Sequence, residues 1–366
     1  DVELSVVIDV SNSMGNGGRL TSLVPALTSF YTSVLASNDV VNPNRVSIST
    51  IPYDMQVNAG KELYEAAHGA AEHQLSFCSE WTDAAYAQTG FSTDEQVQAV
   101  HAAYKNSNTN SGVWDIDLPH CSEEEYDQIL PFSKDLNALT DQLNAMKSRG
   151  STSLDTAAKW GVALLDPASR PVINHLSTLW DGAGNPEDRQ SVDPGFSQRP
   201  VDWNHESTQK VMLIITDGQN VAEHRVKPAF RTDDATNPSH VWYNPGENNV
   251  SFVEKTAAGW ERMTWKKMWQ KVPLETLILE TGGALGDYWD TVDSTTKDTR
   301  FDLICSAAKD KGIVIFSIAY GASAKGQESL RDCATNDAFY HTAEPGDIEE
   351  IFAEVGAAVE KLKLTK

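Results

Sequence analysis

The chain is poor in basic charge. Only 29 Lys and Arg stand against 52 Asp and Glu, giving a formal charge of −23 over 366 residues, and the cations form no cluster. Such a chain is repelled by phosphate backbones and anionic lipid, which argues against nucleic acid as a partner. No apolar run approaches the ~18 residues of a membrane span. No Cys-x-x-Cys pair occurs, and no His stands near the cysteines at zinc-ligand spacing, so a Cys-rich zinc site is not expected. His-Glu-x-x-His, the Gly-x-Ser-x-Gly elbow and the P-loop Gly-Lys-Ser/Thr are also missing, which removes the common zinc-protease, serine-hydrolase and nucleotide-binding signatures. There is no internal repeat and no low-complexity tract.

What remains is ordinary globular composition, 40% apolar and 22% charged, enough for a sizeable core. Length alone, at roughly 150 residues per domain, suggests two or three domains. Four cysteines, Cys78, Cys121, Cys305 and Cys333, allow three pairings. The nearest-neighbour scheme, Cys78–Cys121 with Cys305–Cys333, is the most economical. Four buried thiols are the alternative; the disulfide reading is preferred and points outside the cytoplasm. The chain opens on Asp1, with strand-like residues from Glu3, and is expected to be cut from a longer or processed precursor.

Three runs, Leu4–Ile8, Val211–Ile215 and Ile313–Ile318, read as buried strands, and Val46–Ile51 alternates as another. Apolar residues three or four apart predict helices over Leu20–Val34, from Asp135 to Met146, over Leu154–Leu165 and over Phe301–Lys309. Pro25 falls near the first turn of its helix or kinks it. A short helix around Leu330 and a short strand over Ala338–His341 follow. The last helix opens with Asp347 and Glu350 in a capping-box pattern. Three stretches, about 59–131, 167–209 and 221–298, break the pattern; the last holds five Trp, from Trp242 to Trp289. Strands alternating with helices from end to end predict an α/β fold with a mostly parallel, doubly wound sheet. The expected organisation is one domain over 1–366, with the three long insertions packed as an accessory face or subdomain.

Ligands of doubly wound sheets gather at the C-terminal ends of the strands. Three polar loops fall there: Asp9-Val10-Ser11-Asn12-Ser13, Gly150-Ser151-Thr152-Ser153 and Thr216-Asp217-Gly218. They offer two carboxylates and three hydroxyls, hard oxygen donors that suit Mg²⁺, Mn²⁺ or Ca²⁺ better than zinc or copper. Individually each has a plainer reading. Asp9, Ser11 and Ser13 make a capping turn, Thr152 caps a helix, and Asp217-Gly218 is a turn. Asp155 is either a supporting hydrogen-bonding residue of the second loop or an exposed helix residue. His68 and His73 read as surface residues, Glu123–Asp127 as a solvated loop face, and the Trp as packing of the last insertion onto the core.

In their order along the chain, Asp9-x-Ser11-x-Ser13, Thr152 and Thr216-Asp217-Gly218 resemble the metal-ion-dependent adhesion site of von Willebrand factor A (VWA) domains. Asp9, Ser11, Ser13, Thr152 and Asp217 match its five positions. The resemblance implies a Rossmann-like fold, a divalent cation (Mg²⁺ foremost, Mn²⁺ or Ca²⁺ otherwise), and a protein partner that presents an acidic side chain to the metal. A narrower likeness runs through Val46-Ser47-Ile48, Ile51-Pro52-Tyr53, Val57-Asn58, Trp160-Gly161, Leu165-Asp166-Pro167, Leu330-Arg331-Asp332-Cys333 and Leu362-Lys363-Leu364-Thr365. These segments look like the C-terminal region of TadG-type proteins of the tight-adherence (Flp) pilus assembly machinery of bacteria. That likeness implies an extracytoplasmic position, a membrane anchor N-terminal to this chain, disulfides at the four cysteines, and pilus components as partners. The function expected is metal-dependent protein binding without catalysis. A purely scaffolding domain, and then a metal-dependent hydrolase, are the alternatives; for the hydrolase no general base is identifiable near the aspartates.

Overall fold

Eight consecutive buried residues, Val2–Asp9, form β1. The computed structural model of the chain describes residues 1–91, 96–104, 119–182, 190–232, 242–243, 251–256 and 259–365. Five further strands join β1 in one sheet: β2 (Val46–Tyr53), β3 (Leu130–Ser133), β4 (Gln209–Thr216), β5 (Val314–Tyr320) and β6 (Tyr340–Ala343). Their spatial order is β3-β2-β1-β4-β5-β6. All neighbours are parallel except β3, which runs antiparallel to β2 at the edge. The expected mostly parallel, doubly wound α/β sheet is what the structure has. The chain winds outward from β1 to β3 and then restarts on the other side at β4. That reversal puts the crevice for a ligand outside the C-terminal ends of β1 and β4.

Alternation along β1 feeds two cores. Val2, Leu4, Val6 and Ile8 pack with helices α1 (Arg19–Leu35), α2 (Leu136–Ala145) and α6 (Ile348–Thr365) on one face. Val7, with Met212 and Ile214 of β4, packs with α3 (Leu154–Ala163), α4 (Ser294–Asp310) and α5 (Ala324–Cys333) on the other. Helix α3 lies so close to β1 that a Cβ on Gly161 would come within 2.8 Å of the Val7 side chain. Far from the crevice, Glu3 of β1 and Lys210 of β4 stand in register and form a buried ion pair at 2.5 Å.

Local outcomes differ from the sequence reading in instructive ways. Pro25 lies well inside α1, which stays continuous; the break falls earlier, at Asn16 and Gly17. Asp135 caps α2 by accepting from the amides of Asn137 and Ala138. Asp347 does not form the capping box, because its carboxylate accepts the Glu344 amide upstream. The stretches read as irregular hold regular elements: a helix over Lys61–His68, another over Arg170–Ser177, and the edge strand β3. Helix α4 begins seven residues before the expected start.

The chain divides into two compact units. Asp1–Gln98, Glu124–Val221 and Ser294–Lys366 form the sheet unit; Ala99–Glu123 and Ala222–Asp293 form the other. Of the three insertions, most of the last therefore builds the second unit together with 99–123 of the first, while 167–209 belongs to the sheet unit. The second unit has its own core around Trp265, Trp269, Trp289, Val226 and Leu277. Those three Trp are packing residues, but of this unit's own core rather than of an insertion laid onto the sheet's core as expected; the side chains of Trp242 and Trp260 lie outside the described residues. A disulfide joins Cys305 of α4 to Cys333 of α5, Cys78 and Cys121 are disulfide-bonded as well, and no cysteine is free. Among the described residues no helix is long and apolar enough to cross a membrane.

Candidate metal centre

Asp9 ends β1 fully buried, and the chain turns at once, with the Ser11 amide donating to Asp9 Oδ1 at 2.7 Å. That turn swings Ser11 and Ser13 onto one side, their hydroxyls 3.0 Å apart. The Ser13 hydroxyl donates to Asp217 Oδ1 at 2.7 Å. Asp217 directly follows β4, the strand beside β1, so its position is set by the sheet. Thr216, one residue earlier, donates its hydroxyl to Asp9 Oδ2 at 2.5 Å and accepts the Gly218 amide at 2.9 Å. The two aspartates are thus linked through Thr216, Ser11 and Ser13.

The second loop is sewn to the first. The Arg149 amide donates to the Val10 carbonyl at 2.7 Å, and the Asn12 amide to the Gly150 carbonyl at 3.2 Å. Gly150 has φ +63°, and a Cβ there would stand 2.5 Å from Asp54 Oδ2, so only glycine fits the turn. Asp54 in turn faces the Arg149 guanidinium at 3.0 Å, and its carbonyl accepts the Ser153 amide at 2.9 Å. Thr152 is buried; its carbonyl accepts the Val221 amide at 3.1 Å, and its hydroxyl lies against Gly218, where a Cβ would come within 3.0 Å. The structure therefore brings all five residues, Asp9, Ser11, Ser13, Thr152 and Asp217, to one place at the switch point of the sheet.

The charges there are costly. Burial pushes the Asp9 carboxyl up to about 7, against the hydrogen bonds of Thr216 and Ser11 that favour the anion, and Asp217 adds repulsion. Burial also raises Asp217, opposed by the Ser13 hydroxyl and by Arg19. Two buried carboxylates with converging hydroxyls and a surplus of negative charge make a donor set that fits a hard dication. Among the described residues no group of three or more His, Cys, Asp or Glu could hold a metal; this set has two carboxylates, and its other donors are hydroxyls.

Several neighbours were not legible in the sequence. Arg19, at the start of α1, donates to Asp217 Oδ2 at 2.9 Å. Tyr53 ends β2 opposite Asp9 in register, buried, and its phenol is pushed well upward, first by burial and then by the charge of Asp9. Asp155 is fully buried, with Lys297 at 3.9 Å and Arg300 at 3.7 Å, both from α4. It is not an exposed helix residue. Lys297 also donates to the Ser153 hydroxyl, and Asp298 accepts from Asn220, whose side-chain oxygen takes the Leu154 amide. The first turns of α4 thus brace the second loop and the segment that follows the third. Of the other candidates, His68 is not a surface residue: its ring lies 5.5 Å from Trp81, 5.7 Å from Phe91 and 5.8 Å from Trp160. Glu123–Glu125 are exposed as expected, but Asp127 is buried, with Arg149 at 3.9 Å.

No protein-family model matches the chain, and no curated protein matches it in sequence. Among solved structures it is similar to the vWF domain of the type V pili tip protein Mfa5 from Porphyromonas gingivalis. That match has 14% identity and a TM-score of 0.44, and covers 98% of this chain and 95% of the other. The adhesive tip pilin GBS104 from Group B Streptococcus agalactiae matches at 10% identity and a TM-score of 0.41, over 99% of each chain. The pilus adhesin RrgA from Streptococcus pneumoniae matches at 12% identity and a TM-score of 0.39, covering 99% of this chain but 44% of that one. These overlaps are loose, and the strand order above is what defines the fold.

Proposed function

We propose that this chain is a divalent-cation-dependent protein-binding module of the adhesion type, working outside the cytoplasm. The observation that carries this reading is the convergence of Asp9, Ser11, Ser13, Thr152 and Asp217 at the switch point between β1 and β4. In it, Asp9 and Asp217 neutralise the cation, and the hydroxyls of Ser11, Ser13 and Thr152 serve as weak neutral donors. The bound cation supplies an electrophilic position that a carboxylate of the partner completes. The protein's part is to hold these donors in place before the cation arrives, through the Thr216 hydroxyl on Asp9 and the Ser13 hydroxyl on Asp217. The oxidised cysteines favour an extracytoplasmic compartment. The TadG-like segments extend the proposal to tight-adherence pilus assembly, with pilus components as partners. The reading is one of binding, not turnover.

The test is thermal unfolding in EDTA and then with Mg²⁺, Mn²⁺ or Ca²⁺, for wild type and Asp9→Ala. A cation at one hundred times its dissociation constant stabilises by about 2.7 kcal/mol. A shift in wild type that is absent in Asp9→Ala is the expected result. No shift and no heat of binding in either protein would overturn the metal reading and leave a scaffolding role.

A further inference from the structure

Arg19 is the one cation in direct contact with the candidate ligands among the described residues. Its guanidinium reaches three loops at once: Asp217 Oδ2 at 2.9 Å, the Ser13 carbonyl at 3.2 Å and, at 3.4 Å, the carbonyl of Gly321 after β5. Gly321, at φ +63°, gives it room, since a Cβ there would come within 2.7 Å of the guanidinium. The Asp217 side chain is almost wholly buried under this contact, while Arg19 keeps about a quarter of its surface exposed, 24%.

We infer that Arg19 sets the charge of the loaded site and so selects an anionic partner, at the expense of cation affinity. The inference rests on the metal reading above. Two carboxylates alone cancel a dication, leaving a neutral centre with little preference between a carboxylate and a neutral oxygen donor. Two carboxylates with Arg19 carry a net single negative charge, so the loaded centre carries a single positive one. A positive centre with low-dielectric walls draws a carboxylate. The same guanidinium repels the incoming cation and ties up one oxygen of Asp217. Arg19 is thus a specificity-determining residue, and removing it moves the two affinities in opposite directions, which a merely structural role does not do.

The experiment measures Mn²⁺ affinity by electron paramagnetic resonance, then water-proton relaxation at bound Mn²⁺ as acetate or acetamide is added. Wild type, Arg19→Gln and Arg19→Lys are compared. Arg19→Gln is expected to bind Mn²⁺ about tenfold more tightly and acetate about tenfold more weakly, with acetamide unchanged; Arg19→Lys, which keeps the charge, stays near wild type. If Arg19→Gln does not fold, Arg19→Met, which keeps the aliphatic stem, carries the same expectations. Mn²⁺ binding to Arg19→Gln but not to wild type also supports the inference. Equal or weaker Mn²⁺ affinity in Arg19→Gln, or undiminished acetate binding, overturns it while leaving the metal site standing. Mn²⁺ binding to neither protein overturns the metal reading, and this inference with it.

Discussion

His68 shows how a single side chain can escape its composition. A lone His between Ala67 and Gly69 reads as polar surface, yet here the ring packs edge-on among Tyr64, Trp81, Phe91 and Trp160. Burial lowers its pKa to about 3, with the charge of Lys159 acting the same way. The unfolded state, with an ordinary His near 6.5, therefore binds the proton first. Stability from this residue is present above about pH 6.5 and is lost as pH falls from there toward 3. His68→Phe lacks that dependence, so urea unfolding at pH 7.5 and pH 5 should show the variant gaining on wild type as pH falls. A stability gap that stays constant across that interval would contradict the assignment. The five candidate metal residues were readable because their chemistry is written in short spacings along the chain. Arg19 and Tyr53 were not, nor was the bond from Thr216, itself part of the third loop, to Asp9, because these roles depend on which elements lie side by side, and no local pattern encodes that.

Elements were legible where one kind of residue filled the inward face. The central strands are apolar runs, and their period is unmistakable. The apolar period shows only part of α4, because Lys297 and Arg300, buried in its first turns, are charged; an apolar template starts only at Phe301. Lys159 makes the same point in α3. It is fully buried, and its ammonium donates to the carbonyls of Ala85, Gln88 and Gly90 at 2.7–2.8 Å. A helix of the sheet unit thereby pins a loop that the sequence leaves irregular. Lys159→Met keeps the stem but removes the charged donor from these carbonyls, of which that of Ala85 still accepts the Gln88 amide at 3.2 Å; hydrogen bonds to a charged group are worth about 1.5–3 kcal/mol. The expected loss is about 2–3 kcal/mol in urea unfolding, and a loss below about 1 kcal/mol would mean water replaces the ammonium. The disulfide between α4 and α5 closes a separation of 28 residues. In the chain-entropy model, replacing both Cys305 and Cys333 by Ala costs about 3–4 kcal/mol, measurable against wild type without reductant. Equal stability of the two proteins would show that the helices hold their positions without it.

At the scale of the whole molecule, the sequence reading expects one domain whose insertions form an accessory face or subdomain, and the structure has two compact units with separate cores. All five candidate ligands, Arg19 and the bracing residues of α4 belong to the sheet unit, whereas the Trp cluster belongs to the other. Composition could not separate them, since an insertion rich in Trp looks the same whether its rings cover the sheet or pack on one another. Here they pack on one another: Trp269 stacks on Trp265 with ring centres 5.9 Å apart, lies 5.7 Å from Trp289, and donates its indole N–H to the Phe230 carbonyl at 2.9 Å. Trp269→Ala removes a fully buried indole and should cost about 3–5 kcal/mol within the unit that contains it. The candidate cation site shares no residue with that core, so on the proposed metal reading the stabilisation by Mn²⁺ should be retained in full. Calorimetry of wild type and Trp269→Ala, each with EDTA and with Mn²⁺, separates the two effects: the variant lowers the unfolding of the Trp-containing unit while the Mn²⁺-dependent shift keeps its wild-type size. A Trp269→Ala protein that folds but has lost the Mn²⁺ shift would show that the second unit holds the metal loops in shape, and that the site is not the property of the sheet unit alone.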